Sequence, residues 1–337
     1  MDNFILIGAP LFAFLVVLFV LPLWIKKTKQ LDLLWEDMNK PGHPRNVASS
    51  GGVVVILGFL LGVLFYIGLK TFILGAIDDK IIKLFAVLNI ILMFAFIGII
   101  DDLFGWKHGG LKKGTRLVLG LAASIPLIVL NVGVSKMSVP FNGNIDFGIL
   151  YPLLLVPLGI IACSTVYNFL AGFNGLEASQ GILIFGFLSY IAYITGSGYL
   201  SIVGIVMIAC LGSFLLFNNY PSKVFPGDSL TLSLGALIAI MAILGNFEKI
   251  AFIVFIPYII EMVLKLRGKL KIQSFAIPNE DGSLEMPKEK IYGLTHFAIY
   301  ALKKIKKNKK VYETEVVLFI NLIQLIFIGI AYLVYVL

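Results

Sequence analysis

Ten stretches of this chain are apolar without alternation, at residues 4–25, 51–69, 81–100, 115–133, 149–168, 178–197, 199–218, 229–246, 249–266 and 315–337. A helix needs about 20 apolar residues to cross the roughly 30 Å hydrocarbon core of a bilayer, and each stretch is close to that length. Strands of a transmembrane barrel would alternate apolar and polar positions over about ten residues, which these do not. Backbone groups in lipid must be hydrogen-bonded within their own segment. The pattern therefore predicts an all-α polytopic membrane protein of about ten transmembrane helices. The stretches 115–133 and 229–246 are its weakest members, being short and rich in Gly, Ser or Thr.

Polar residues interrupt this pattern at GIIDDLFGW (98–106), VYNFLAGFNGLEASQG (166–181) and VFPGDSLTL (224–232). The basic residues give their sidedness. Of 27 Lys and Arg, 22 lie in the loops after spans one, three, five, seven and nine; the rest are Lys70, Lys80, Lys83, Lys136 and Lys249. Cytoplasmic loops carry the excess of Lys and Arg. Those loops therefore face the cytoplasm, both termini lie outside, and the three polar stretches share the cytoplasmic face. The first span is not a cleavable signal, because its basic flank (Lys26, Lys27, Lys29) follows the apolar run.

Composition agrees: 59% of residues are hydrophobic and 14% charged, with a mean hydropathy of +0.98. The formal net charge of +8 is explained by the positive-inside bias and attraction to anionic headgroups, with no nucleic-acid partner. Cys163 and Cys210 fall inside spans and predict no disulfide, and His43, His108 and His296 lack metal-ligand spacing. No repeat or second soluble domain is visible, so residues 1–337 read as one integral-membrane domain with a cytoplasmic subregion at 267–314. Within it, NEDG (279–282) joins two short segments predicted to pair as a hairpin, and KKIKKNKK (303–310) follows.

Each polar stretch has a bland and a chemical reading. Asp101 and Asp102 are either a solvated helix end or a pair that binds Mg²⁺ or supplies a general base; adjacent carboxylates near lipid repel unless a cation relieves them. Asp228, in a Pro-Gly turn, caps the next helix or binds Mg²⁺, a cation that takes oxygen ligands and substrate phosphates. Phe225 is an interfacial anchor or a stacking platform. Asn168 and Asn174, with Gly172 and Gly175, form a helix-capping turn or a cradle in which backbone approaches a ligand. Glu177 suits the dipole at the start of span six. Together the loops offer carboxylates, amide oxygens, glycine backbone and nearby cations (Lys107, Lys112, Lys113, Arg116, Lys223) on one face. That set suits Mg²⁺ with a pyrophosphate substrate, since phosphoryl transfer depends on positioning and charge neutralisation. The chain has no GxxxxGK[ST] loop, which disfavours an ATP-driven pump.

With DMNK (37–40), IDDLFGW (100–106), AASIPL (122–127), YNFLAGFNGLEASQ (167–180), NNYPSKVFPGD (218–228) and GSLEM (282–286) in this order, the chain resembles the polyprenyl-phosphate N-acetylhexosamine-1-phosphate transferases. It is most similar to the eukaryotic and archaeal branch that makes dolichyl-diphosphate GlcNAc, and NFLAGFNGLEA is the most specific of these motifs. The resemblance implies a ten-span enzyme with its active site in cytoplasmic loops. Such an enzyme moves GlcNAc-1-phosphate from UDP-GlcNAc to dolichyl or another polyprenyl phosphate and releases UMP, the first step of lipid-linked oligosaccharide synthesis for N-glycosylation. It implies Mg²⁺, or Mn²⁺, held by Asn168 and Asp228. Gly172 and Asn174 would meet uracil, Phe225 would stack on it, and Asp101 or Asp102 would orient or deprotonate the lipid phosphate. Arg116, with Lys112 and Lys113 as rivals, matches the basic residue after the acidic pair.

Two departures stand out. VASSGG (47–52) lacks the family's Pro and Glu, and RGKLKIQSFAIP (267–278) replaces a His- and Arg-rich segment, leaving Arg267, Lys269 and Lys271 as its cations. The second leaves the sugar open between GlcNAc, GalNAc and another acetamido sugar, with Lys271 as a substrate-binding candidate. Two rival readings are a bacterial-type transferase acting on undecaprenyl phosphate and, from another class, a secondary transporter. The charges cluster at one face and no half-repeat is visible, which disfavours the transporter. The expected setting is an archaeal cell membrane, or the endoplasmic reticulum in a eukaryote, with a homodimer as an open expectation.

Overall fold

The computed structural model describes residues 2–73, 75, 78–108, 110–139 and 143–336, with side chains except at 2–6, 106–108, 136–139 and 143–144. The side chains of Lys107, His108 and Lys136 thus lie outside the described residues.

Every one of the ten apolar stretches is helical. Helix α1 (Asp2–Gln30) leads through a strand pair, β1 (Leu34–Glu36) and β2 (Arg45–Ala48), into α2 (Gly52–Phe72), α3 (Asp79–His108) and α4 (Lys113–Val129). A second pair, β3 (Lys136–Val139) and β4 (Gly143–Asp146), precedes a π-turn at Tyr151–Leu155 that runs into α5 (Val156–Phe169). Then come α6 (Leu176–Ile194), α7 (Gly198–Asn218), α8 (Gly227–Gly245), α9 (Glu248–Val254) and α10 (Ile256–Arg267). The chain closes with β5 (Ile277–Pro278), β6 (Leu284–Glu285), α11 (Leu294–Ile305) and α12 (Glu313–Val336). The β5–β6 pair is the hairpin expected around NEDG, closed by the Asn279 N–H donating to the Ser283 carbonyl at 2.8 Å. The other two pairs were not expected, although Lys136–Val139 does alternate polar and apolar residues.

Among the described residues, eight helices are long and apolar enough to cross a membrane. The two expected spans outside that set are α4, whose 17 residues reach about 26 Å, and the ninth stretch, broken into α9 and α10. The break lies at Phe255, just before Pro257, whose ring cannot continue a helix from the preceding turn. Connectivity still makes both of them passes. Helix α4 starts beside α3's acidic pair, and Gly133 beyond its end sits against Tyr151, before α5, whose own C-terminus returns to that pair. Helix α10 likewise ends where Lys265 bonds Ser274, whose hydroxyl donates to the Phe169 carbonyl at the end of α5. Eight long helices and these two shorter crossings therefore run between the two faces of the bundle, with α1 beginning and α12 ending on the face opposite the three polar stretches.

Helix α8, from the weak stretch 229–246, is the centre of the bundle: residues 229–243 are all buried. Its Gly, Ser and Thr content, which weakened the apolar signal, is what lets other backbones approach closely in lipid, where small residues mark helix interfaces. At Gly98 of α3 an added Cβ would collide with the Ser229 backbone of α8, and at Gly235 of α8 it would collide with the Cys163 carbonyl of α5. Helices α3, α5 and α8 therefore meet backbone to backbone, and the ends of these three helices carry the polar stretches. Cys163 and Cys210 are free thiols, as expected.

Candidate active site

The Gly98 crossing brings the last turns of α3 against the first turn of α8. Asp102 there accepts hydrogen bonds from the Asp228 backbone N–H at 2.9 Å and from the Ser50 hydroxyl at 2.7 Å. Gly227, at φ +71°, has to be glycine on two counts: the backbone is left-handed, and a Cβ would strike the Asp102 carboxylate. Asp101, one residue earlier and 2% exposed, accepts the Leu111 N–H at 2.6 Å and pairs with Arg116. The same guanidinium nitrogen of Arg116 lies 3.1 Å from Asp228 Oδ2. One cation thus sits between two of three converging carboxylates and relieves the repulsion their proximity would create.

The segment VASSGG, which lacks the family's Pro and Glu, supports the Pro-Gly-Asp turn. Phe225 donates its N–H to the Ala48 carbonyl and accepts from the Gly51 N–H, both at 2.8 Å. A Cβ at Gly51 would collide with Val224, and one at Gly52 with Leu230. Its two glycines and Ser50 thereby hold the 224–228 turn and Asp102.

The opening of α6 forms the opposite wall. Gly172, at φ +123°, donates its N–H to Glu177 Oε1 at 2.8 Å, and its carbonyl accepts from Asn39 Nδ2 at 2.7 Å. Asn39 Oδ1 in turn accepts the Ala276 N–H at 3.0 Å, which stitches the 270s loop to this wall. The Phe275 ring packs on Gly172 so closely that a Cβ would come within 2.7 Å of it. Glu177, read from sequence as a helix-dipole partner, is a buried brace for the glycine turn; its Oε2 has no hydrogen-bond partner.

Between these walls lies a cavity of about 450 Å³. Of the residues singled out from sequence, Asp101, Asp102, Arg116, Asn168, Gly172, Phe225 and Asp228 all line it. Asn174 does not. It is buried behind the wall, its N–H donating to Glu313 Oε1 at 2.7 Å and its amide to Asp37 Oδ2 at 3.2 Å. Lys112 stands exposed just before α4, and Lys271 is exposed away from the wall. The loop of Lys271 contributes Gln273 and Phe275 to the wall instead.

Sequence reasoning missed the residues that hold this wall in place. Lys40 donates to Glu313 Oε2 at 2.8 Å, lies 3.2 Å from Asp37 Oδ2, and sits 3.9 Å over the Tyr220 ring. Burial disfavours its charge, yet Glu313 and Asp37 together hold the Lys40 ammonium above the usual lysine range. DMNK was visible as a motif, but only folding pairs it with an acid 273 residues away. Replacing Lys40 with Met leaves two buried carboxylates without their cation. The expected result is a loss of about 3 kcal/mol of stability, since breaking a buried pair from one side is strongly destabilising. A thermal melt of the detergent-solubilised protein checks this, and an unchanged midpoint would remove the brace.

The cavity's donor set fits a hard divalent cation. Asp228, Asn168 and Asp101 line one space and offer it only oxygen ligands, with Asp101 Oδ2 held by Arg116. Among the described residues no group of three His, Cys, Asp or Glu side chains already forms a ligand cluster. Sites for such a cation take one or two carboxylates and complete the shell with water and substrate phosphates.

Residues 84–246 match the profile of glycosyl transferase family 4. A protein of Saccharolobus solfataricus, provisionally named as a UDP-N-acetylglucosamine–dolichyl-phosphate N-acetylglucosaminephosphotransferase, is 34% identical over 284 residues, covering 83% of this chain and 84% of that one. The chain belongs to glycosyl transferase family 4. A similarly named protein of Sulfolobus acidocaldarius is 33% identical over 294 residues, 87% of this chain and 84% of its own. A phospho-N-acetylmuramoyl-pentapeptide-transferase of Clostridium perfringens is 28% identical over 246 residues, 71% of this chain and 72% of its own. The resemblance expected from NFLAGFNGLEA is met, with the dolichyl-named relatives aligning at higher identity than this muramoyl one. The family profile covers α3 through α8 and so includes the seven cavity residues predicted from sequence. The DMNK brace, Gln273 and Phe275 lie outside it.

Proposed function

We propose that this membrane protein transfers N-acetylglucosamine-1-phosphate from UDP-N-acetylglucosamine to dolichyl phosphate, releasing UMP. The observation that carries the proposal is the cavity itself: three aspartates and Arg116 at the ends of α3, α4 and α8, facing the glycine turn of Gly172. The archaeal relatives' names supply the substrates, and they support an archaeal cell membrane as the setting.

In this reading an oxygen of the lipid phosphate attacks the β-phosphorus of the sugar nucleotide. A new P–O bond forms, the bond to the bridging oxygen breaks, and UMP leaves with that oxygen. Asp101 or Asp102 orients the lipid phosphate or takes its proton, and Arg116 balances the charge that gathers there. Gly172, whose N–H and carbonyl are held by Glu177 and Asn39, keeps side-chain bulk out of the nucleotide's way, with Phe225 lining the same cavity as a stacking surface. Asn168 and Asp228 would hold Mg²⁺, which when bound supplies charge neutralisation for the pyrophosphate. Positioning and electrostatics of this kind carry most of phosphoryl-transfer catalysis.

The test is UMP release by the purified protein in lipid nanodiscs, given UDP-GlcNAc and dolichyl phosphate. Chelation by EDTA is expected to stop release, and added Mg²⁺ or Mn²⁺ to restore it; turnover that persists in EDTA would remove the metal. Substituting UDP-GalNAc or UDP-N-acetylmuramoyl-pentapeptide in the same assay reads the sugar. Faster turnover with either one would replace GlcNAc as the substrate.

A further inference from the structure

Helix α11 does not cross the bundle. It is 12 residues, about 18 Å, and its neighbours α10 and α12 both meet it on the site face. Leu294, Ala298 and Ile299 are buried, which leaves Phe297, Tyr300 and Lys304 on the outer face. Phe297 lies against Phe319, ring centroids 6.1 Å apart, and Phe319 is about 9 Å into the span α12. The outer face of α11 is therefore level with the membrane interface, where aromatic rings concentrate.

The segment 285–310 carries eight lysines against two glutamates and no arginine. Lys288, Lys303, Lys304, Lys306, Lys307 and Lys309 line a groove of about 720 Å³ whose walls also include Glu285 and Glu289. Lys303 pairs with Glu285 and Lys306 with Glu315, while among the described residues Lys288, Lys304, Lys307 and Lys309 form no ion pair. We propose that this groove is a docking site for the headgroups of anionic phospholipids. Flexible ammonium groups act as point charges suited to a dispersed phosphate surface, whereas one tightly bound phosphate would call for arginine forks. Their place beside an interfacial aromatic face points to lipid in preference to a soluble anion.

The site reaches the cavity through the other end of the same helix. The Thr295 hydroxyl donates to the Ser274 carbonyl at 2.8 Å, His296 Nε2 lies 3.4 Å from the Phe275 carbonyl, and Glu261 accepts the Leu294 N–H. One end of α11 grips the bilayer, and the other holds the loop that puts Gln273 and Phe275 on the cavity wall. This inference does not depend on which sugar or lipid the enzyme uses.

The test is native mass spectrometry of the full chain in detergent, offered phosphatidylglycerol and phosphatidylcholine at equal concentration. The wild type is expected to retain phosphatidylglycerol about tenfold better, in keeping with the contribution of each lysine near an anionic surface. The triple variant Lys304→Gln, Lys307→Gln, Lys309→Gln should lose that preference. The matching Lys→Arg variant should keep it, and all three positions are exposed, so folding is not at issue. No preference in the wild type, or the same preference in the Gln variant, would overturn the proposal. So would displacement of the lipid by millimolar inorganic phosphate or by a single-stranded oligonucleotide, which would assign the groove to a soluble anion or to nucleic acid.

Discussion

Replacing Asp228 with Asn is expected to reduce UMP release on the order of a thousandfold, the scale seen when one electrostatic contact to a transition state is lost. The substitution preserves the shape of the turn. The backbone N–H of residue 228 still donates to Asp102 at 2.9 Å, because that bond does not use the side chain. What disappears is the negative charge 3.1 Å from Arg116, and with it a candidate ligand for Mg²⁺. Stability should therefore change little while turnover collapses. The measurements are a thermal melt and UMP release across a series of Mg²⁺ concentrations. Partial rescue at high Mg²⁺ would support the ligand role. Activity above about a tenth of wild type at ordinary Mg²⁺ would take Asp228 out of the reaction, since losses of that size are below what such a contact supplies.

Gly98→Ala is expected to do damage of a different kind, without touching any polar group. The added methyl would meet the Ser229 backbone, which has no rotamer to escape into. Helices α3 and α8 must separate, and overpacking of this sort costs about 1–3 kcal/mol. Asp102, one turn further along α3, would move away from Asp228, and a displacement of about 1 Å in a reacting site is enough to lose roughly a hundredfold in rate. Both the melting point and UMP release should fall. Gly212→Ala is the control: it also lies mid-helix, but nothing stands within 4 Å of its Cβ, so it should be neutral or mildly stabilising. Wild-type activity in Gly98→Ala would mean that the α3–α8 contact does not set the geometry of the acidic cluster.

These two outcomes separate what could be read along the chain from what could not. Asp228 was singled out from sequence because a carboxylate in a Pro-Gly turn beside an apolar run stands out against its surroundings. Gly98 was not, because a glycine inside an apolar run carries no mark of what it faces. Helix α8 shows the same limit from the other side: its Ser, Thr and Gly residues weakened it as a span, and burial on every side explains them. Asn174 and Glu177 illustrate it at the cavity. Both sit in the most legible motif of the chain, yet one turns its back on the cavity to bond Asp37 and Glu313, and the other braces Gly172.

By itself, then, the sequence determined the class, the helical spans, the face on which the polar stretches gather and seven of the residues that line the cavity. Lipid makes those features legible, since a segment must satisfy its own backbone and every charge must reach an edge. Only the tertiary structure decided that Arg116 lies between Asp101 and Asp228, that Lys40 joins Asp37 to Glu313, and that Gln273 and Phe275 close the cavity. Those contacts join residues far apart in the chain through packing distances of a few ångströms. No periodicity or local propensity records which helix backs against which.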